Sequence, residues 1–379
     1  AFTIGANSTF RLSGDTEISS ANDLTLGNLE LGGNTLSLDF ASVNNATLIL
    51  PNMLTMDNVG SVIETRGSNL TLLGALQLNS GAITSTGGTL NLAGGLTLGA
   101  QGTLDVSGST LSVSQDLDLS SGTFTSNNSS VLDLQAAIVL STSDRVDFGS
   151  VNFNDNVLTL GSALTHLKLI DPLSLDGTTL ETGAGSLTLA GAMKLQNGAE
   201  LNSSGGTITL ESDNSDFFVE SGSLFSIPDT ALVTNNYLSF FGSTLKTKNT
   251  TFTTNGFGVS IDTGSILEVE GIQNLTGVHL DDSSTLRLAA DTELENDNWM
   301  SVGTLELADF TLTLGDTMSK LTVTEPVTLD AATEQIISGD ADLSLNGGIT
   351  VSNGTLSSTG GTLSSSSLSA GAAGKVNIL

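Results

Sequence analysis

A chain of 379 residues with 40 acidic against 10 basic side chains carries a formal net charge of -30 at pH 7. That charge repels phosphate backbones and anionic headgroups, so neither nucleic acid nor a membrane surface is expected as a partner. Cysteine is absent and no run of about 18 apolar residues occurs, so disulfides, thiolate metal sites and a membrane-spanning helix are all ruled out as sources of order.

Only 13% of residues are charged and 38% are hydrophobic, so the acidity does not imply disorder. The chain opens on Ala1-Phe2-Thr3, with neither Met nor a basic, apolar export segment, as a processed chain or a piece of a longer one does. From there onward, two-residue alternation replaces helical periodicity: Leu24-Thr25-Leu26, Leu36-Ser37-Leu38, Leu96-Thr97-Leu98, Leu158-Thr159-Leu160 and Leu343-Ser344-Leu345 each read as a strand with one buried face. Clusters of Gly, Asn, Ser and Asp end each strand after a few residues and supply sharp corners.

The spacing of the strands decides their arrangement. Leu76-Gln77-Leu78, Leu96-Thr97-Leu98 and Leu117-Asp118-Leu119 follow one another at 20 and 21 residues. Leu90-Asn91-Leu92, Leu111-Ser112-Val113 and Leu132-Asp133-Leu134 follow at 21, with a third strand near Leu104 or Phe124 between the series. Antiparallel hairpins would not need a constant return. Three short strands in a coil of about 20 residues, each pairing in parallel with its counterpart one coil on, do need it. The sequence therefore predicts an all-β fold, a single continuous right-handed parallel β-helix (β-solenoid) over residues 1–379, with about 19 coils stacked over roughly 90 Å.

A longer repeat overlies the coils. Ser8-Thr9-Phe10-Arg11-Leu12 returns as Ser284-Thr285-Leu286-Arg287-Leu288, and Leu29-Glu30-Leu31 as Leu305-Glu306-Leu307. Leu158-Thr159-Leu160-Gly161 returns as Leu312-Thr313-Leu314-Gly315. Three copies begin near residues 6, 128 and 282, and the second is longer by inserted coils within 207–281, the segment where functional variation is expected to concentrate. Both chain ends fall inside a repeat, so the terminal coils are expected to meet further repeats or other copies of the chain end to end, as in a filament.

The phrases Gly87-Gly88-Thr89-Leu90-Asn91-Leu92 and Gly102-Thr103-Leu104-Asp105-Val106, with their 20-residue returns, resemble right-handed β-helix passengers of bacterial autotransporters and related large surface adhesins. The resemblance covers essentially the whole chain. It implies a non-catalytic structural or adhesive protein, extracellular or at the bacterial cell surface, with surface glycans or proteins among its partners.

Chemistry-bearing constellations are sparse. His166 and His279 are the two histidines; His166 precedes a strand beside leucines that should face the core, and His279 stands between Val278 and Leu280, and both are expected to point outward. Val278-His279-Leu280-Asp281-Asp282 near Arg287 gathers a His, two carboxylates and a cation, with the aspartates placed at a corner. Glu211, Asp213 and Asp216 form an acidic group without the glycine-rich nonapeptide of calcium-binding solenoids. The cations are scattered along the sequence, so the clustered carboxylates and cations of a polysaccharide-cleaving β-helix are not expected, and no catalytic residue, metal or cofactor is assigned. The aromatics are the uneven feature. Phe217, Phe218, Phe225, Tyr237, Phe240, Phe241, Phe252 and Phe257 are half of the chain's sixteen and all lie in the inserted region, as an interior stack filling a wide coil or as an exposed platform for glycan or protein.

Overall fold

The structure, a computed structural model, describes residues 2–40, 46–211, 217–255, 258–296 and 299–379. Among these, strands of 2 to 11 residues alternate with turns, and no helix occurs. The architecture is an all-β parallel solenoid of about 17 coils of about 21 residues. The coils number fewer than 379 residues at a 20-residue return would give, because the corners vary in length. Val259 pairs with Val278, 19 residues on, whereas Thr35 pairs with Val62, 27 residues on. Two compact units are distinguished, Ala1–Leu173 with Thr178–Gly191, and Ser174–Gly177 with Ala192–Leu379.

In the first unit an eight-stranded sheet takes one short strand from each coil, beginning at Phe2–Thr3 and ending at Ser150–Asn152. Its register aligns Leu48, Leu70, Leu90, Leu111 and Leu132 in one inward column, all 0% exposed. Two residues on, Leu50, Leu72, Leu92, Val113 and Leu134 form a second buried column. Each fully buried leucine contributes about 2 kcal/mol of apolar transfer, so the leucine rhythm of the sequence is the core itself. The 21-residue series through Leu90, Leu111 and Leu132 is thus the register of this sheet.

The series through Leu76, Leu96 and Leu117 divides. Leu76 pairs with Leu96, but Leu117–Leu119 pairs forward with Leu140–Thr142, while Thr103–Asp105 carries the earlier ladder to Thr123–Thr125. Nor are the strands always three per coil: Leu76–Thr84 and Leu96–Asp105 each run unbroken round a corner, with a register shift after Leu78. Gly102 permits this, since a Cβ there would lie 2.1 Å from the Leu78 carbonyl oxygen.

Many corners share one chemistry. In Val106-Ser107-Gly108-Ser109, Glu220-Ser221-Gly222-Ser223 and Asp262-Thr263-Gly264-Ser265, the fourth residue's N–H donates to the first residue's carbonyl at 3.0 Å. The glycine sits at φ of 75°, 74° and 72°, a region L-residues avoid. The serine that follows is buried and begins the turn inward. Along one edge of the first unit such hydroxyls satisfy one another, Thr65 Oγ1 donating to Ser85 Oγ at 3.0 Å and Ser85 Oγ lying 2.9 Å from Ser109 Oγ.

One six-stranded sheet begins at Leu173–Asp176 and continues in the second unit through Met193–Gln196, Phe217–Glu220, Leu238–Phe241, Val259–Ile261 and Val278–Leu280. A second includes Glu200–Ser203, Leu224–Pro228, Thr244–Lys248, Ile266–Asn274 and Thr285–Glu295. Met193, Phe217, Leu238, Val259 and Val278 align inward on the first, and Leu201, Phe225, Leu245, Leu267 and Leu286 on the second. These two sheets carry the candidate site residues.

Candidate functional site

Strand alternation sorts the aromatic group by side. Phe217, Phe225 and Phe240 are 0% exposed, and the Phe225 and Phe240 rings stack in the core with centroids 6.1 Å apart at 23°. Phe252 holds the inward position opposite Leu232 and is half-buried. Phe218 points outward between Lys194 and Ser239 in register, and its ring meets that of Phe241 at 6.0 Å, the diagonal contact of neighbouring strands. Tyr237 and Phe241 are exposed by 54% and 42%. Phe257 lies outside the described residues. The group is therefore both an interior stack and an outer patch.

The outward column beside that patch runs Lys194, Phe218, Ser239, Ser260 and His279. His279 is exposed, with buried Val278 before it, and Asp281 occupies the corner, accepting the Ser283 N–H and hydroxyl at 2.8 Å each. Arg287 does not join them: it reaches Glu306 at 2.6 Å. His166 likewise faces outward and lies 2.9 Å from the Thr188 hydroxyl. Glu211 is half-buried, whereas Asp213 and Asp216 lie outside the described residues. No group of three His, Asp or Glu side chains converges among the described residues, and no helix of the described chain is long and apolar enough to cross a membrane.

One gathering escaped the reading of the sequence. On the second sheet's outward face, Ser226, Lys246, Glu268, Arg287 and Glu306 align in register. Lys246 pairs with Glu268 at 3.1 Å and Arg287 with Glu306 at 2.6 Å, while Lys248 pairs with Glu270 at 2.6 Å. Lys246, Lys248, Glu268 and Glu270 border a shallow groove of about 240 Å³. Three cations that look scattered along the chain thus alternate with three glutamates across adjacent strands. The 22-residue interval from Lys246-Thr247-Lys248 to Glu268-Val269-Glu270 held the signal. The Lys248 ammonium titrates above its ordinary range because Glu270 accepts its hydrogen bond and attracts its charge. At such exposed positions water and salt screen each pair, so the ladder fixes register more than it stabilises.

In the first unit the comparable hub is Asp133, outward on its strand. Its carboxylate accepts from the Ser112 hydroxyl at 3.0 Å, from Asn154 Nδ2 at 3.0 Å and from the Gln135 amide. Partial burial pushes its pKa up, but the hydrogen bonds outweigh burial and hold it below the usual carboxylate value. A depressed folded-state pKa means that the stabilisation is complete above the ordinary value near 4 and is lost as pH falls through the lower one. Asp133→Asn is accordingly expected to cost up to about 1 kcal/mol at pH 7. The difference from wild type should shrink as acid melts are carried below the ordinary carboxylate value.

The fold and these surfaces define an all-β parallel solenoid whose described outward faces carry hydroxyls, cross-strand ion pairs and one aromatic patch. Comparison with protein-family models, curated proteins and solved structures gives no significant match to this chain.

Proposed function

We propose that the chain is a non-catalytic structural and adhesive protein of a bacterial surface, a right-handed parallel β-helix of the autotransporter-passenger kind serving as a stalk or fibre segment. In this reading its outer aromatic patch within residues 207–281 engages surface glycans or proteins. The observation that carries the adhesive part is the Phe218–Phe241 ring contact on an outward face, with Phe241 42% exposed, since apolar rings left in water on a regular sheet are enriched where a partner covers them. The placing of Asp281 at a corner, where it accepts from Ser283, supports the non-catalytic part over a polysaccharide-cleaving one, while the ladder through Lys246, Glu268, Arg287 and Glu306 is the face on which a cleavage assay with a Glu268→Gln variant would test it. The Ser, Thr, Asn and Gly richness supports an extracellular location.

The test is binding of fluorescently labelled protein to bacterial and epithelial cells by flow cytometry. The Phe218→Ser/Phe241→Ser variant is expected to keep the circular dichroism of wild type and to lose at least about tenfold in cell binding, because hot-spot aromatics carry most of the energy of such contacts. Equal binding by the variant would remove the patch from the contact. No binding by wild type would leave a mechanical spacer in place of an adhesin.

A further inference from the structure

The second unit holds a break in its outward sheet surface. Strand Val278–Leu280 pairs back onto Val259–Ile261, and Trp299–Val302 pairs forward onto Lys320–Val323. Among the described residues no backbone bond joins the two strands, and their facing edges border a cleft of about 300 Å³ lined by Val278, His279, Leu280, Trp299, Met300 and Ser301. Pairing resumes beyond the corner, where the Thr304 N–H donates to the Ser284 carbonyl at 3.0 Å. Strand edges left open in this way present both N–H donors and C=O acceptors.

The lining has a definite character. Val278 and Met300 are buried and form an apolar floor, while the indole of Trp299, the single tryptophan of the chain, is 67% exposed at the rim. The His279 imidazole lies against Gly258, where an added Cβ would be 3.0 Å from the ring carbon Cδ2, so the absence of a side chain at 258 lets the ring lie back against the sheet. Two carboxylates just beyond Leu280 are engaged elsewhere. Asp281 accepts from Ser283 and, at 3.2 Å, from the Thr263 hydroxyl; Asp282 accepts from the Ser301 hydroxyl. Neither lines the cleft.

An aromatic face on an apolar floor, with the Ser301 oxygen left to accept and with imidazole and strand-edge groups that donate and accept, suits a ligand with an apolar face and hydroxyls that do both. A pyranose ring has both, and about 300 Å³ is at the lower end of small-ligand sites. Among the described residues no carboxylate lines the cleft, and the net charge of -30 repels acidic sugars. We propose that this cleft is a binding site for a neutral glycan, one sugar ring stacking on Trp299 and hydrogen-bonding Ser301 and His279. The site is separate from the Phe218–Phe241 patch and stands or falls without it.

The lone tryptophan supplies the assay. Titration of the full chain with cellohexaose and with xylohexaose is expected to shift Trp299 emission to shorter wavelength saturably for at least one of them, with a midpoint of about 0.1–1 mM, the weak range of a single stacked ring. Oligogalacturonate and tetramethylammonium serve as the acidic and cationic controls and are expected to leave the emission unchanged. In affinity electrophoresis through the matching polysaccharide, retardation should disappear with Trp299→Ala and persist in part with Trp299→Phe. Circular dichroism of both variants should match wild type, the indole being mostly exposed. An emission unmoved by both neutral sugars, a saturable response to either control, or undiminished retardation of Trp299→Ala would overturn the proposal.

Discussion

Replacing Phe225 by alanine is expected to destabilise the protein by about 4 kcal/mol, measured by denaturant unfolding followed through far-ultraviolet circular dichroism. The ring is fully buried, aligned in register with Leu201 and Leu245, and stacked on Phe240 from the adjoining sheet. Truncation removes its transfer energy and its stacking and leaves a void that flanking strands cannot collapse to fill, because each is held in register by neighbours on both sides. Since each coil touches chiefly the next, hydrogen exchange should accelerate around residues 200–250 and stay near wild type in the first unit. Phe218→Ala, seven residues earlier in the chain but on the outward side of its strand, should cost under about 1 kcal/mol. Equal losses for Phe225 and Phe218 would contradict the division of the aromatics between core and surface.

That division shows where the sequence is legible and where it is not. Alternation and the 21-residue interval are enough to place Leu90, Leu111 and Leu132 in one buried column, because a side-chain period of two leaves only two faces and leucine selects the inner one. Two residues of a pair such as Phe217-Phe218 or Phe240-Phe241 must lie on opposite faces, so a count of aromatics in a segment cannot tell a core from a platform, whereas their parity along the strand can. Corners are harder. Their lengths vary from one coil to the next, so the step that carries Leu117 out of the Leu76 and Leu96 ladder, and the break that exposes Trp299, depend on how neighbouring coils stack and not on any local phrase. The ion-paired ladder through Lys246, Glu268, Arg287 and Glu306 lies between these cases: its members are far apart in sequence, but each is one return from the next.

Glycine at corners carries a second large effect, in which space and not dihedral angle is limiting. Gly74 and Gly94 lie one above the other on successive coils. A Cβ on Gly94 would stand 2.2 Å from the carbonyl carbon of Gly74 and 2.4 Å from its oxygen, and a Cβ on Gly74 would stand 2.2 Å from the carbonyl carbon of Asn52. These contacts are with backbone, which cannot rotate aside as a side chain can, and the strands beginning at Leu76 and Leu96 hold the two corners at the ladder spacing. Gly94→Ala must therefore push adjacent coils apart or bend the entry to Leu96–Asp105, and it is expected to cost about 3 kcal/mol in denaturant unfolding. Gly14→Ala is the control. Its Cβ would meet nothing within 4 Å and its φ lies outside the left-handed region, so it should be neutral or stabilise by up to about 1 kcal/mol through the unfolded chain. If Gly94→Ala melted like Gly14→Ala, the close stacking of corner on corner in the first unit would be wrong.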